Sequence, residues 1–454
     1  MLRNLTITFM LLLLFTACEQ KIQEKPVRLI TLDPGHFHAA LVQKEMYPGV
    51  DSLVYIYAPE GQDLFLHLAR IDQYNSRTEN PTKWQHEIYV GPDYLEKLKK
   101  TPSGNNVVVL AGNNRIKSDY IRTALESGMN VLADKPLIIR PEDFPRLEES
   151  FSIAKQKNLL LYDIMTERFE ITSLLQREFS RMPEIFGEME KGTLEEPAVI
   201  KESVHHFYKN VSGKPLVRPG WFFDVNQQGE GLVDVTTHLV DLVQWTCFPD
   251  EMLDYKSDVE MLQAERTATE ITRHQFQQVT GLTDFPEYLR ADVSDSILQV
   301  FQNGQMDYTL RGIHARVSVK WNFYAGEGRG DTHFSLLKGT RANLIIRQGA
   351  EQNFKPVLFI EPVSGNEEIE SALSLAVKKL NEKFPGISVK PAAIGWEVVV
   401  PEKYAEGHEA HFASVTKNFL GFLKDGSMPE WEVSNMLCKY YTTMRAYEMA
   451  HEKK

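Results

Sequence analysis

The chain has 454 residues, 43% of them hydrophobic and 25% charged, a balance that excludes a disordered or fibrous protein and favours two domains over one core. Its formal net charge of −12 does not favour nucleic acid as a partner. With only 3 cysteines, a disulfide scaffold is excluded, and no structural zinc pattern is present.

Residues 1–17 read as a signal peptide. Met1-Leu2-Arg3-Asn4 is weakly basic, and the apolar run from Leu5 to Phe15 is too short to span a bilayer. Thr16-Ala17-Cys18 resembles the bacterial lipobox, with Phe15 where leucine is usual. That resemblance implies acylation of Cys18, a membrane contact through the lipid anchor alone, and a periplasmic or surface-facing place in the cell envelope. An ordinary secretory signal cleaved elsewhere is the alternative. Residues 18–26 read as a polar tether.

Residues 27–160 read as a doubly wound α/β domain. Val27–Asp33 and Ser52–Tyr57 have strand character, with a helix marked by Phe37, Ala40, Leu41 and Lys44 between them. Val107–Ala111 is a buried parallel strand by its β-branched run. Ser118 then caps a helix, Gly128 ends it, and Val131–Ala133 follows as a further strand. This βαβ unit delivers Asp134-Lys135-Pro136 to a strand's carboxyl end, where open α/β sheets bind ligands. The turn after the first strand reads Asp33-Pro34-Gly35-His36-Phe37-His38, in which only the middle glycine of G-x-G-x-x-G survives. Gly35, His36 and Phe37 are the candidate pyrophosphate contacts. Asp33 would repel a phosphate, and His38 would hold helix and strand apart. Glu60 is the candidate for the adenosine ribose, and Asn113 and Asn114, just after the strand Val107–Ala111, are further candidate cofactor contacts.

Residues 161–454 read as an α+β domain. Ala198–Tyr208 alternates as a strand, so only one of His205 and His206 should face a pocket, and His206 is the candidate. Tyr208, Arg218 and Trp221 could line a sugar site through aromatic stacking and bidentate hydrogen bonds, although core packing is the plainer role for Trp221. Gly229 and Gly231 open a helix whose core stripe is Leu232, Val235, Leu239, Leu242 and Val243. Asp234, His238 and Asp241 share another face, and a histidine between two carboxylates suits acid–base work. Solvated carboxylates around a satisfied interior histidine would give the same pattern. Further strands at Ser296–Phe301, Met306–Arg311 and Arg316–Phe323 predict a large, mostly antiparallel sheet. A helix over Ile369–Phe384 and a strand pair follow; residues 345–400 are the place for substrate-specific loops. His408-Glu409-Ala410-His411 is one residue short of a zinc-binding H-E-x-x-H and reads as a helix start, with two helices closing the chain. Cys247 and Cys438 could pair or stay free.

Together the two motif segments resemble the Gfo/Idh/MocA oxidoreductases. Asp134-Lys135-Pro136 matches that family's Glu-Lys-Pro with Asp for Glu, and Asp234 to Asp241 matches Asp-x-Gly-x-His-x-x-Asp with Thr236 for the glycine. The resemblance implies a Rossmann domain with NAD or NADP as cofactor, and a carbohydrate-derived alcohol or ketone as substrate. It implies that Lys135 hydrogen-bonds the reacting oxygen, that His238 exchanges the hydroxyl proton and that Asp234 orients substrate or His238, with Asp241 beside them. It also implies an open-faced sheet of the kind used for homo-oligomer contacts. A cofactor held tightly and recycled would suit an envelope location. A cofactor-free carbohydrate-binding lipoprotein that keeps the fold is the alternative.

Overall fold

A computed structural model describes residues 26–211, 214–363 and 367–452. The expected signal peptide, the lipidation site Cys18 and nearly all of the tether lie outside the described residues.

The amino-terminal sheet has six parallel strands: β1 (Arg28–Leu32), β2 (Leu53–Ala58), β3 (Gln85–Val90), β4 (Asn106–Leu110), β5 (Asn130–Asp134) and β6 (Leu161–Ile164), ordered β3-β2-β1-β4-β5-β6. Strand order reverses between β1 and β4, which pair from Arg28 and Asn106 to Leu32 and Leu110. That switch point opens a crevice at the strands' carboxyl ends. β4 and β5 are buried along their whole length, as their unbroken apolar runs require.

Three local expectations change. The helix after β1 is one turn, His38–Leu41, so it brings little helix dipole to the crevice. Ser118 lies inside the helix Lys117–Glu126 rather than capping it; Asn113 caps the short turn before it, its side chain accepting from the Arg115 N–H. The first sheet also runs past residue 160, because β6 pairs with β5.

The second sheet combines β7 (Val199–Tyr208), β10 (Val259–Thr272), β11 (Val293–Ser294), β12 (Ile297–Leu310), β13 (Ile313–Tyr324), β14 (Thr332–Lys338), β15 (Ala342–Gln348), β16 (Val357–Pro362), β17 (Ser388–Pro391) and β18 (Trp396–Val399); a small hairpin, β8 (Asn210–Val211) with β9 (Lys214–Pro215), stands apart. Its order is β10-β12-β13-β7-β14-β15-β16-β18-β17, with β11 beside β12. Only β7 and β13 run parallel. The two strands expected at 296–301 and 306–311 are one, β12. The hairpin turn falls instead at Arg311 and Gly312, both left-handed at φ 50° and 76°. Gly304 keeps the strand unbroken because Leu232 fills its side-chain space: a Cβ there would lie 2.7 Å from Leu232 Cδ2.

The closing helices, His408–Asp425 and Glu430–Glu452, dock back against β6 and against the helices Thr236–Cys247 and Phe144–Lys157. A buried ion network fastens this junction. Lys439 Nζ lies 2.7 Å from Asp163 and 2.8 Å from Asp241. Arg168 forks onto Asp241 at 2.6 and 2.7 Å and reaches Glu432 at 3.0 Å. Among the described residues no helix is long and apolar enough to cross a membrane, and Cys247 and Cys438 are free.

Candidate active site

A cavity of about 1230 Å³ lies between the crevice and the inner face of the second sheet. Its floor is the turn after β5. Lys117, buried within the helix that follows β4, donates from Nζ to the carbonyls of Asp134 at 2.8 Å and Pro136 at 3.0 Å, holding that turn. The Lys135–Pro136 peptide is cis. Burial pushes the Lys117 amine down to about 8.

Asp234 arrives from the other domain, on the turn before the helix Thr236–Cys247. The turn needs Gly231: a Cβ there would lie 2.2 Å from the Gln302 carbonyl of β12. Lys135 Nζ donates to Asp234 Oδ1 at 2.5 Å, and Gln228 Nε2 donates to Oδ2 at 3.1 Å. Side-chain exposure is 10% for Lys135 and 3% for Asp234, so the pair is only slightly screened. It can hold an ammonium beside a substrate oxygen that gains negative charge.

His238 lines the same cavity, but neither flanking carboxylate serves it. Its Nδ1 is buried without a hydrogen-bond partner. Asp234 is taken by Lys135 and Gln228, and Asp241 by Arg168 and Lys439. The expected role of Asp241 at the substrate is therefore corrected: two buried cations need its charge, and it turns away from the cavity. Burial, reinforced by the Lys135 charge, holds the His238 imidazole neutral, well below its ordinary range.

The remaining expected residues divide. Arg218 and Asn114 line the cavity; Arg218 donates Nε to the Phe207 carbonyl at 3.1 Å, and Asn114 donates to the Gln228 carbonyl at 2.6 Å. Asn113 is spent on Gln227 at 2.6 Å. On β7 the alternation runs in the opposite phase to that expected, so His205 faces the cavity and His206 does not. Both imidazoles nevertheless reach Asp331, at 3.4 and 2.9 Å. Tyr208 stacks on Phe323 outside the cavity. Glu60 is exposed in the turn after β2, away from the cavity.

Trp221 neither fills the core nor lines the cavity. Its indole lies over the glycine turn, where a Cβ on Gly35 would meet Trp221 Cζ2 at 3.1 Å, Asp63 Oδ2 at 3.3 Å and Gly112 Cα at 3.3 Å. Trp221 Nε1 donates to Asp63 at 3.1 Å. The Gly35 and His36 N–H groups both donate to the Ala111 carbonyl, at 3.2 and 3.1 Å. On the Gly35 side of the turn lies a pocket of about 40 Å³. A pyrophosphate laid on Gly35 itself would find the Trp221 indole close, the Gly35 and His36 donors used and two carboxylates, Asp33 and Asp63, near by. Gly35 itself, under that indole, does not fit a dinucleotide's pyrophosphate. His36 and Phe37 line both the cavity and the small pocket.

Several cavity groups escaped the sequence reading. Glu167 stands with 35% of its side chain exposed, its carboxyl pushed up to about 7 by burial and by the neighbouring Glu170 charge, a value suited to proton transfer near neutrality. Trp321, on β13, brings an aromatic wall and an Nε1 donor without a hydrogen-bond partner. His408 and His411 enter from the start of the closing helix. At the cavity floor, His38 Nδ1 lies 2.8 Å and His36 Nδ1 3.6 Å from Asp134 Oδ2. Burial opposes the charge on Asp134, yet His38, His36 and Lys117 hold its carboxyl well below the usual range. Glu167 and Trp321 stood in no recognisable spacing, and only the fold brings them to one cavity with these histidines and Asp134.

Residues 175–451 match the sequence family described as "Putative oxidoreductase C terminal domain". The crystal structure of a "putative oxidoreductase" from Parabacteroides merdae superposes with a TM-score of 0.92 at 53% identity, covering 95% of this chain and 99% of that one. More distantly, levoglucosan dehydrogenase in complex with NADH and levoglucosan matches at 13% identity and TM-score 0.58, over 94% of this chain and 98% of its own. KijD10, a 3-ketoreductase from Actinomadura kijaniata bound to NADP, matches at 14% and 0.52, over 92% and 96%. At such identities the two latter likenesses concern the fold. No curated protein sequence matches the chain.

Proposed function

The chain belongs to the oxidoreductase family that this carboxy-terminal domain defines, with the fold of the Gfo/Idh/MocA enzymes, and from that premise we propose that its cavity takes a carbohydrate-derived alcohol or ketone. The single observation that carries this reading is the Lys135–Asp234 pair, drawn from two domains to the floor of a large polar cavity. Lys135 donates to the substrate's reacting oxygen, and Asp234, braced by Gln228, keeps the ammonium aimed. Glu167, with its raised carboxyl pKa, takes or returns the substrate proton. His238, held neutral, positions a hydroxyl. Trp321 supplies an aromatic wall, and His205 and Asp331 offer donors and acceptors on the opposite side, a mixture that suits a polyhydroxylated ring. Levoglucosan and L-sorbose complexes of levoglucosan dehydrogenase, on the same fold, support this substrate class.

A nicotinamide would supply the hydride in enzymes of this fold; here Trp221 covers Gly35, while His36, Phe37, Asn114 and Lys135 line the cavity where one would be held. The test is calorimetric titration of the full chain with anhydrosugars, ketoses and alditols. Turnover is then followed with an artificial acceptor dye and, separately, with NAD and NADP. Binding of one sugar class, with turnover lost and binding kept in Lys135→Met, supports the reading. No binding to any member of the panel overturns it. We further propose anchoring at Cys18 in the cell envelope, supported by the lipobox-like Thr16-Ala17-Cys18; intact mass measurement on the native protein, lacking any acyl mass at Cys18, would refute it.

A further inference from the structure

Two positions where this chain departs from the dinucleotide-binding pattern are His38, in place of the third glycine of the β1 turn, and Asp134, in place of the glutamate before the lysine. They are 96 residues apart in sequence and 2.8 Å apart in space. His36, from the same turn as His38, joins them, and one ligand atom from each of the three lies within 4.8 Å of the others. We propose that His36, His38 and Asp134 form a binding site for one divalent first-row transition ion of the zinc class.

The spacing of the three side chains is near that of a tetrahedral site. Ligands at about 2.0–2.2 Å from a tetrahedral zinc stand roughly 3.3 Å from one another. The separations to Asp134 Oδ2 are 2.8 Å from His38 Nδ1 and 3.6 Å from His36 Nδ1, on either side of that value. The two histidine nitrogens lie within 4.8 Å of each other, so small side-chain rotations would close the set. His36 Nδ1 is buried with no hydrogen-bond partner, an arrangement that costs stability unless something accepts the nitrogen's lone pair or proton. The two imidazole rings stand edge to face with centroids 4.0 Å apart. Two imidazoles and one carboxylate suit zinc, cobalt or iron(II) rather than calcium or magnesium, which prefer all-oxygen shells.

Support behind the ligands is also present. Lys117 fixes the backbone carbonyls on both sides of Lys135, which holds Asp134 in place. The nearby Lys135 charge, which would oppose a cation, is already paired with Asp234. All three ligands line the large cavity, so a fourth position opens toward whatever occupies it, as in catalytic rather than structural zinc sites. The turn after β1 thus carries two of the three ligands for an ion, and the end of β5 the third.

This proposal stands apart from the substrate reading, and its test reads binding rather than turnover. The full chain is stripped with chelator and titrated calorimetrically with Zn²⁺, and in parallel with Co²⁺ while the visible d–d bands are followed. One ion per chain is expected, with Co²⁺ bands of four- or five-coordinate intensity. His38→Gln and His36→Gln should each weaken binding by about 100-fold, on the order of 2.7 kcal/mol. His205→Gln, across the cavity, should leave it unchanged. His36→Gln guards against misfolding, since His36 Nδ1 stands 3.6 Å from Asp134, further than His38, and glutamine keeps a polar group there; thermal unfolding of each variant confirms that it is folded. Absence of stoichiometric Zn²⁺ binding in the folded wild-type chain, or unchanged affinity in both histidine variants, would overturn the proposal.

Discussion

The Lys135 ammonium and the Asp234 carboxylate, 99 residues apart in sequence, meet at 2.5 Å where the cavity floor is closed by the two domains together. Lys135 sits at the carboxyl end of a parallel strand, and Asp234 on a turn held against β12 by Gly231. Each domain thus supplies half of one electrostatic device, and the distance between halves depends on how the domains dock.

Lys135→Met should abolish turnover, by about 10²–10⁴-fold, and should also lower stability by roughly 3–5 kcal/mol, because Asp234 is left buried without its cation. Lys135→Met/Asp234→Asn, which removes both charges, should recover much of that stability and none of the turnover. Denaturant titration paired with turnover on the bound sugar checks this; a single variant as stable as the parent would contradict the buried-pair reading.

Asp241 behaves as part of the scaffold. Asp241→Asn leaves Arg168 and Lys439 short of a counter-charge inside the protein, so a loss of about 3–5 kcal/mol is expected. The sugar dissociation constant should be unchanged in the fraction that remains folded. A weakened sugar affinity at unaltered stability would return Asp241 to the substrate site.

Glu167 carries a pH signature. Its folded carboxyl is raised to about 7, above its ordinary 4.5, so between those values the unfolded chain has lost a proton that the folded chain keeps. Stability is therefore fully present below about pH 4.5 and falls as pH rises through about 7. Glu167→Gln removes this loss, so the variant should gain on the parent between about pH 5 and pH 8 in chemical denaturation. The basic or acidic limb near neutrality should also vanish from its pH–rate profile. Parallel stability curves for the two proteins would exclude the raised carboxyl.

Trp221 closes the glycine turn. Trp221→Gly should open the space over Gly35, and NADH binding, read by nicotinamide fluorescence, should strengthen by at least about tenfold relative to the parent. Tight NADH binding to the parent, with no gain in the variant, would mean that the indole does not obstruct the nucleotide path.

Much of the architecture was legible in the chain alone. Buried parallel strands must be apolar on both faces and sheet strands alternate, so Val107–Ala111 and Ala198–Tyr208 could be placed from their side chains. Lys135, Asp234 and His238 were legible too, because their short spacings are fixed by the local strand–turn and turn–helix geometry. What tertiary structure decided was partnership. Asp241 and His238 share a helix, yet Arg168 and Lys439, distant in sequence, claimed the carboxylate. His38 looked only like a lost glycine until β5 brought Asp134 against it, and Trp221 looked like core until it lay over Gly35. A sequence specifies which groups each element carries; the free energy of a buried charge, an unpaired nitrogen or a filled space depends on what the other elements bring within a few ångströms, and that is settled only when the domains pack.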